Sequence, residues 1–454
     1  MEVEQYLEVS DASLSDDGKL RRGTIWTCVA HIITGVIGSG VLSLAWSTAQ
    51  LGWIAGPLTM LCFAFVTVIS AFLLSDCYRS PHPLTGTRNR TFMDAVRVTL
   101  GQRHAWLCGF LQYLGLFGTS SAYVLTTATC IRAIQRSNCY HEKGHTAPCS
   151  GRESFFMLMF GLVQILFSQI PDLNNVRWLS VVAASMSFTY ASIGFGLGLA
   201  KVIGNGMIKG TIGGAHAPST AQKLWRICQA IGDIAFSYPF STIVLEVQDT
   251  LKSPPPENLT MKRASMVSVV ITTFFYLCCG CFGYAAFGND TPGNLLTGFG
   301  FYEPYWLVDL ANACIILHLL GAYQVFSQLI FAFAEKWYTE KFPRSWLLSD
   351  VGLPFGPPCR TKAFRLCFRT LYVASTTGLA LAFPYFNQFL GLLGALSFWP
   401  LTVYLPVEMY FVQRKVVRWS SKWLVLQLFS AGCLLVSLLA LVGSIEGIFN
   451  QRLN

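Results

Sequence analysis

The chain has 454 residues, of which 53% are hydrophobic and 12% charged, and its formal net charge is +9. Soluble domains contain roughly 25% charged residues, so this composition excludes an ordinary soluble protein and indicates an integral membrane protein. The sequence contains no His-Glu-x-x-His motif, phosphate-binding loop or Gly-x-Ser-x-Gly elbow, so we expect neither an enzyme nor a metal or organic cofactor.

Apolar stretches long enough to span a bilayer recur along nearly the whole chain, since one span needs about 20 residues. This pattern predicts an all-α polytopic membrane protein whose surroundings are lipid. In chain order we predict eleven spans at Ile25–Leu51, Ile54–Leu74, Ala105–Ile131, Phe155–Ile170, Trp178–Ala200, Leu224–Val247, Ala264–Phe287, Tyr305–Ala334, Leu366–Phe383, Phe386–Val412 and Trp423–Ile445.

The distribution of positive charge predicts the orientation of these spans. Residues 1–22 are polar and acidic and are expected to form a cytoplasmic tail, residues 23–449 one transmembrane domain, and residues 450–454 an extracellular C-terminus. With this orientation, 23 Lys and Arg residues lie in cytoplasmic segments and 9 in outer ones, which is the positive-inside pattern. The net charge therefore reports orientation, and we expect no nucleic-acid partner.

The first span is interrupted by glycines in the sequence His31-Ile-Ile-Thr-Gly-Val-Ile-Gly-Ser-Gly-Val-Leu42. Glycines leave backbone N–H groups uncovered, and a helix that restarts there presents its positive dipole end to an anion. Alternatively, these glycines only let another helix pack closely. We expect a substrate carboxylate to bind at Gly35, Val36, Ile37, Gly38, Ser39 and Gly40, with Ser39 adding a hydroxyl.

The sixth span is interrupted in Gly232-Asp-Ile-Ala-Phe-Ser-Tyr-Pro-Phe-Ser-Thr242. Pro239 has no N–H to donate, so the carbonyls before it lose helical partners and can receive an ammonium group. A proline kink without function is the alternative. The carbonyls concerned belong to Ala235, Phe236, Ser237 and Tyr238.

Both interruptions occupy equivalent places in the chain. Five spans beginning with a broken helix (residues 23–203) are followed by five more (residues 224–412) and one extra span (residues 423–447). An odd number of spans inverts the second copy, and paired broken helices indicate a transporter with its binding site near mid-membrane. A site with donors on one side and acceptors on the other would suit an amino acid.

Ionisable residues inside spans are costly and usually functional. Asp233 precedes the second interruption, His31 precedes the first, and His318 lies inside the eighth span. Because histidine titrates near neutrality, we expect these three residues to couple transport to protons. Two structural alternatives stay open, namely histidine rings that bind backbone carbonyls and an aspartate that caps the broken helix.

Two features are expected outside the bilayer. Cys139 and Cys149 share a polar loop that the charge pattern places outside, where an oxidising environment favours a disulfide over two free thiols. Asn289-Asp-Thr is an outward-facing glycosylation sequon.

The chain resembles plant amino acid permeases of the amino acid/auxin permease family. The resemblance covers nearly the whole chain from Leu20. It implies a plasma-membrane symporter that moves amino acids with protons through eleven spans of the leucine-transporter-type fold, and it favours His31 and His318 as proton-linked positions. The matching segments include Gly23-Thr-Ile-Trp26, Ala30–Trp46, Ala49-Gln-Leu-Gly-Trp-Ile-Ala-Gly-Pro57, Leu74-Ser-Asp-Cys-Tyr-Arg79, Gly232–Ser241, Glu246-Val-Gln-Asp-Thr-Leu-Lys-Ser-Pro-Pro255 and His318-Leu-Leu-Gly-Ala-Tyr-Gln324.

The third span departs from the family pattern. Family members usually carry Asn at the position of Gly115, and Gly-Tyr-Thr where this chain has Ala122-Tyr-Val124. The resemblance implies that this span lines the substrate cavity, with Tyr113 as a candidate carboxylate contact. We therefore expect a shifted substrate range.

The first expectation for function is a proton-coupled importer of L-amino acids that works by alternating access. An auxin-type organic-anion importer or facilitator is the runner-up, although auxin has no ammonium group for the carbonyls to bind. A non-transporting amino acid sensor is the competitor from another class, and the short cytoplasmic tail disfavours it.

Overall fold

The computed structural model describes residues 21–144, 147–149, 151–169, 177–299, 304–352 and 360–453. Most of the predicted acidic tail, residues 1–20, lies outside the described residues, as does Ile170 at the end of the predicted fourth span. The described chain is predominantly α-helical.

The α-helices run in chain order as α1 Ile25–Val36, α2 Leu44–Cys77, α3 Phe92–Leu100, α4 Gln102–Lys143, α5 Glu153–Ser168, α6 Arg177–Asn205, α7 Thr220–Ser237, α8 Ser241–Gln248, α9 Glu257–Phe287, α10 Tyr305–Lys341, α11 Ala363–Ala382, α12 Phe386–Ser397, α13 Leu405–Gln413 and α14 Ser421–Leu453. Short 3-10 helices lie at Ser39–Leu42, Gly288–Asp290, Leu295–Phe299 and Trp346–Leu348, and Phe398–Tyr404 forms a π-helical segment.

Two small antiparallel hairpins lie between helices. In the first, β1 (Arg79–Ser80) pairs with β2 (Thr87–Arg88). In the second, β3 (Asp350–Gly352) pairs with β4 (Arg360–Lys362). Both hairpins fall in loops that the sequence assigned to the same side of the membrane.

Eight described helical segments are long and apolar enough to cross a membrane, by length and composition. Two further apolar helices, α1 and α5, are shorter. The protein is therefore a multi-pass membrane protein, while the count of eleven spans stays a prediction. The eight segments are Leu44–Cys77, Gln102–Lys143, Val182–Asn205, Thr220–Gln248, Glu257–Asp290, Tyr305–Lys341, Phe386–Gln413 and Ser421–Asn450.

Gly52 bends α2 at the point where the first predicted span ends. Its φ of 84° and ψ of 179° are not helical, and this positive φ suits glycine. The bend holds the loop before α7 against α2, because the Ala215 N–H donates to the Ala49 carbonyl at 2.7 Å and the Trp53 N–H to the Thr211 carbonyl at 3.3 Å.

Several helices begin at capping residues that the sequence provides. The Thr24 hydroxyl accepts from the Thr27 N–H while the Thr27 hydroxyl accepts from the Thr24 N–H, a reciprocal capping arrangement at the start of α1. Ser219 caps α7 in the same sense, with its hydroxyl accepting from the Gln222 N–H at 3.2 Å. These caps fix where each interrupted helix starts.

The helices pack into one bundle with the interrupted helices near its centre. α2 packs against α9, α7 packs against both α12 and α14, and α4 packs against α10. The buried core includes residues of α1, such as Ile32, and of α8, such as Val244, both fully buried. The apolar residues of α14 are largely exposed, as expected for a helix that faces lipid.

One end of the bundle, which we call the Arg21 end, is closed by ion pairs. The Arg21 guanidinium binds the Asp249 carboxylate at 2.7 Å, and the Tyr78 hydroxyl donates to the same carboxylate at 2.7 Å. Burial, together with the neighbouring Asp249 carboxylate, raises the pKa of Tyr78, so its hydroxyl stays a donor. The Gly23 N–H also donates to the Thr250 carbonyl at 2.9 Å.

A second set of ion pairs joins the adjoining loops and helix ends at the Arg21 end. Glu257 accepts from Arg79 at 2.8 Å and from Arg88 at 3.0 Å. Asp76 binds Lys262 at 2.6 Å. Because these side chains come from the α2–α3 connection and from the start of α9, they tie the first and second halves of the chain together.

The opposite end, which we call the disulfide end, carries the Cys139–Cys149 pair. The two sulfur atoms are 1.99 Å apart and form a disulfide. α4 continues as a helix for twelve residues past the predicted end of its span at Ile131, so the disulfide joins the last turn of this extension to the polar loop after it.

Candidate functional site

The first interruption separates α1 from the 3-10 helix that follows it. Helical geometry ends at Val36, and Ile37 takes φ −80° and ψ 83°. Gly35 and Gly38 lie on either side of this point, and glycine favours the end of a helix because it is a weak helix former. A Cβ atom on Gly40 would lie 2.5 Å from the Ser237 hydroxyl oxygen and 3.1 Å from the Ser237 Cα, so a glycine here allows the two interruptions to touch.

The second interruption separates α7, which ends at Ser237, from α8, which begins at Ser241. Pro239 lies between them and has no N–H for the Ala235 carbonyl. The Ser237 hydroxyl donates back to the Asp233 carbonyl at 2.9 Å. The peptide groups before Pro239 therefore face the glycines of the first interruption.

One tyrosine of α9 joins the two interruptions. The Tyr276 hydroxyl lies 2.7 Å from the Val36 carbonyl and 2.9 Å from the Ser237 carbonyl. Its single proton is shared between one carbonyl on each side, and the Val36 carbonyl also accepts from the Gly38 N–H at 3.0 Å. The Val36 and Ser237 carbonyls are therefore partly occupied by the protein itself.

Side chains of α6 satisfy further carbonyls of the first interruption. The Tyr190 hydroxyl lies 2.9 Å from the Ile37 carbonyl and 3.1 Å from the Gly38 carbonyl. The Ser187 hydroxyl donates to the Ile37 carbonyl at 2.9 Å. Since buried backbone acceptors need partners, these contacts explain how the chain can leave the helix inside the bundle.

A cavity of about 120 Å³, which we call the central cavity, lies between the two interruptions. It is smaller than the roughly 300–1,000 Å³ of sites for drug-sized ligands, which suits a small molecule. The Ser39 hydroxyl borders it, is 1% exposed and has no hydrogen-bond partner among the described residues. Of the residues expected at the site, Gly35, Val36, Gly38, Ser39, Gly40, Ala235, Phe236 and Ser237 line it.

Three expected residues do not line the central cavity. Ile37 is fully buried, with its carbonyl bound to α6. The Tyr238 ring packs edge-on against Tyr276 at 5.0 Å. Tyr113 packs against Phe333 at 4.7 Å, because its position on α4 turns it away from the interruptions, and its neighbour Gln112 takes the lining position instead.

α4 and the π-helical segment supply the walls that the glycine and proline signals did not reveal. The Gln112 amide donates to the Thr242 carbonyl at 3.3 Å. A Cβ atom on Gly115 would lie 3.2 Å from the Ser397 hydroxyl oxygen across the cavity. Pro400 lies in this π-helical segment, and π-helical turns are frequent at functional sites. This proline was therefore a weak signal in the sequence. Other lining residues are Thr119 and Tyr123 of α4, Leu401 and Thr402 of the π-helical segment, and Phe326 of α10.

Asp233 lies one turn before the second interruption and is fully buried. One carboxylate oxygen is 3.5 Å from the Ser47 hydroxyl. The other oxygen has no hydrogen-bond partner among the described residues. A purely structural cap would be expected to satisfy both oxygens, so this geometry leaves Asp233 available for another role.

His318 is buried and reaches the first interruption through α6. Its Nδ1 lies 3.2 Å from the Ser187 hydroxyl and 3.1 Å from the Ala183 carbonyl. Its Nε2 has no partner among the described residues. The ring therefore has the carbonyl contact of a structural histidine and, through Ser187, a link to the Ile37 carbonyl.

His31 lines a second cavity, the Arg21-side cavity, of about 320 Å³. Gly35, Ile243 and Phe326 border both this cavity and the central one, so a single layer of residues separates them. Glu246 also lines it, and its carboxylate accepts from the Phe92 N–H at 3.1 Å.

The remaining expected position lies at the disulfide end. Asn289 is exposed in the 3-10 turn Gly288–Asp290, a position open to modification enzymes if this end is extracellular.

Comparison with known proteins decides the family. The family model for transmembrane amino acid transporter proteins matches residues 21–450. The chain belongs to this family. Among similar proteins of Arabidopsis thaliana, this transporter is 57% identical to "Probable amino acid permease 7" over 98% of this chain and 97% of that protein. It is 56% identical to "Amino acid permease 3" over 96% of this chain and 93% of that protein. The expected resemblance is confirmed, and the chain is a transporter rather than an enzyme.

A solved structure shares the fold of this transporter. Mhp1, a nucleobase-cation-symport-1 family transporter in a closed conformation with bromovinylhydantoin bound, aligns with a TM-score of 0.56. The alignment covers 94% of this chain and 91% of that one, at 14% sequence identity. At this identity the likeness supports a shared transporter fold and nothing about substrate.

Proposed function

We propose that this transporter imports L-amino acids across the plasma membrane together with protons, by alternating access around the central cavity. The observation that carries this proposal is the meeting of two interrupted helices around a small cavity into which the unpartnered Ser39 hydroxyl points. The shared architecture is proposed to be two inverted five-span repeats followed by one extra span.

The substrate carboxylate is proposed to bind the N–H groups that follow Gly38, with the Ser39 hydroxyl as an additional donor. The N-terminus of a restarting helix favours an anion. The ammonium group is proposed to bind carbonyls before Pro239, foremost that of Ala235, whose helical donor is missing. The Val36 and Ser237 carbonyls already bind Tyr276, so they would orient the site more than bind substrate.

Asp233 is our leading candidate for the proton site, with His31 and His318 as further members. An ionised carboxylate in an apolar interior is costly unless it is paired. A carboxyl group that alternates between dry and wet surroundings is therefore suited to binding and releasing a proton. The gradient would suffice, because one proton moving down 100 mV and one pH unit releases about 3.7 kcal/mol, or roughly 500-fold accumulation.

The disulfide end is proposed to face outward and the Arg21 end the cytoplasm. The unequal distribution of Lys and Arg supports this orientation. The Cys139–Cys149 disulfide agrees, since disulfides persist in oxidising surroundings. With the Arg21–Asp249 ion pair intact, the cytoplasmic side of the transporter would be closed.

The test is electrical recording of oocytes that express the chain, with single amino acids applied at several external pH values. We expect inward current that grows with acidity and does not need sodium. The Asp233→Asn variant should lose or uncouple this current while reaching the cell surface, and Asp290→Asn, which alters an exposed aspartate, should behave like the parent chain. Binding of amino acid with neither current nor uptake would instead identify a sensor.

A further inference from the structure

A wide cavity opens at the disulfide end, between α7, α12 and α14. Its volume is about 740 Å³, and polar side chains dominate its lining. We call it the outer cavity. Its ionisable lining residues are Arg226 of α7, Glu446 of α14, Tyr385 before α12 and His216 of the loop before α7.

The floor of the outer cavity is formed by an amide that the protein leaves unsatisfied. Gln229 of α7 is 3% exposed, and its Nε2 has no hydrogen-bond partner among the described residues. A Cβ atom on Gly447 of α14 would lie 2.7 Å from the Gln229 Oε1 and 3.1 Å from the Gln388 side chain of α12. The three helices therefore converge on this amide.

One turn deeper, the same three helices converge on Asp233. A Cβ atom on Gly391 of α12 would lie 2.6 Å from the Ser444 hydroxyl oxygen of α14 and 3.0 Å from the Asp233 Oδ1. The hydroxyl and the carboxylate oxygen therefore border the same small space beside a residue without a side chain. Both residues are fully buried, and neither of these two atoms has a partner among the described residues.

These groups form a line that we call the polar seam, made of Gln229, Ser444 and Asp233. Gln229 and Asp233 are four residues apart and so share one face of α7. The seam starts at the outer cavity and ends next to the interruptions, because Ser237 donates to the Asp233 backbone and also contacts Gly40. Buried polar groups usually have partners, so three unsatisfied groups in a row need an explanation.

Among the described residues, Asp233 forms no ion pair. From α2 the facing group is the Ser47 hydroxyl. The sequence of α12 contains no ionisable residue. The charged groups of α7 and α14 nearest the seam, Arg226 and Glu446, lie at its mouth in the outer cavity together with His216 and Tyr385. The Cys228 side chain of α7 packs beside Gly443 of α14.

We propose that the polar seam is the route by which the coupling proton travels from the outer cavity to Asp233. A hydronium ion in the outer cavity gives its proton to water that the Gln229 amide holds in place, and is itself left as water. The Ser444 hydroxyl accepts a proton from that water as it donates its own to the Asp233 carboxylate. No bond other than those to hydrogen changes. The extra span α14 thereby contributes a positioning residue, Ser444, to the transport cycle. This inference rests on the proposed proton coupling.

The deciding variant is Ser444→Val, which removes the hydroxyl and fills the space beside Asp233. We expect the external proton concentration for half-maximal current to rise about tenfold, a shift of about one pH unit, with the half-saturating amino acid concentration at acidic pH unchanged. Ser437→Val is the matched control. Ser437 is also buried and unpartnered among the described residues, but it lies about 10 Å along α14 from Ser444, two turns away.

A second measurement keeps the test decisive if Ser444→Val fails to reach the membrane. Ser444→Ala removes the hydroxyl without adding volume, and Ser437→Ala is its control. We expect the pH dependence of the current to shift in Ser444→Ala and to stay that of the parent chain in Ser437→Ala. An unchanged pH dependence in a surface-expressed Ser444→Val or Ser444→Ala would overturn the route. A parent current that ignores pH would instead refute the proposed coupling itself.

Discussion

The Tyr276 hydroxyl is the residue-scale feature that best explains how two helices can be interrupted inside a membrane protein. Hydrocarbon offers no hydrogen-bond partner, so freed backbone groups need partners from the protein. The Tyr276 hydroxyl lies between the Val36 and Ser237 carbonyls and shares its one proton between them. It thereby fixes the spacing between the two interruptions as well as their hydrogen bonding.

We predict that Tyr276→Phe lowers both thermal stability and substrate affinity. The Ser237 carbonyl loses its Tyr276 donor, while the Val36 carbonyl keeps the Gly38 N–H. A buried acceptor left without a partner costs about 1–3 kcal/mol, and the spacing between the interruptions would relax. Tyr284→Phe is the control, because the Tyr284 hydroxyl makes two comparable contacts with Thr211, at 2.8 and 3.1 Å, away from the cavity. Thermal unfolding in detergent and ligand binding measure the two effects. Equal loss of affinity in both variants would contradict a specific role for Tyr276.

Gly115 sets the free space on the α4 side of the central cavity. We predict that Gly115→Asn, which restores the residue usual in the family resemblance, discriminates against bulky amino acids, because its side chain would extend toward Ser397. Pocket changes of this size alter selectivity by about 1–3 kcal/mol. Competition by alanine and by phenylalanine against one labelled substrate measures the change. Gly196→Asn is the control, since a Cβ atom there would meet nothing within 4 Å.

At the scale of residues, the sequence predicted the cavity-lining residues that lie at or beside a helix-breaking glycine or proline. It did not predict the other lining residues. Gly35, Gly40 and Ser237 follow from glycine and proline, which act on the backbone locally. Gln112 was missed because Tyr113 beside it is equally plausible without knowing how α4 is rotated. The carbonyl partners Tyr190 and Tyr276 were missed for the same reason, since their helices are apolar on most sides.

At the scale of elements, the segment before α1 and the end of α8 form a latch at the Arg21 end. Arg21 binds Asp249, and the Gly23 N–H binds the Thr250 carbonyl. The Arg21 and Asp249 side chains are 5% and 17% exposed, so water screens their attraction little. The latch joins the start of the first interrupted helix to the end of the second. These two helices are the elements that the transport cycle would have to move.

We predict that Asp249→Asn opens the Arg21 end more often. Removing one partner of a buried ion pair costs about 3–5 kcal/mol. A cysteine introduced as Ala322→Cys, at a buried position that lines the Arg21-side cavity, reports the opening by its rate of reaction with a thiol reagent in inside-out patches. Asp94→Asn is the control, because the Arg97–Asp94 pair is 45% and 42% exposed and such surface pairs contribute about 0–1 kcal/mol. Equal reaction rates in both backgrounds would contradict the latch.

At the scale of the whole molecule, hydropathy and charge predicted the class of protein. The glycines and Pro239 predicted both interruptions, and the resemblance of the matching segments predicted the family. Hydropathy and charge did not predict how far α4 and α10 extend beyond their apolar stretches, because those extensions are amphipathic and depend on packing and water. The bend at Gly52 coincides with the predicted boundary between the first two spans, because glycine adopts a positive φ more readily than other residues. The number of crossings depends on short helices such as α1 and α5, whose length alone does not decide it.

An odd number of crossings predicts that the two termini lie on opposite sides. An epitope added before Met1 should be inaccessible to antibody in intact cells, and an epitope added after Asn454 should be accessible. Permeabilised cells, in which both epitopes should be labelled, provide the control. Labelling of neither terminus before permeabilisation would mean that the chain crosses the membrane an even number of times and that its C-terminus lies in the cytoplasm.

The wall shared by the central and Arg21-side cavities is only one residue thick, at Gly35, Ile243 and Phe326. Displacing the Phe326 ring would merge the two chambers, so release of cargo toward that end needs little more than a side-chain movement once the latch is open. A ligand with an amino acid head and a long apolar tail could then occupy both chambers at once. Such a molecule would hold the Phe326 ring aside and stop the transport cycle. The length of the apolar tail would therefore decide whether a ligand is a substrate or an inhibitor.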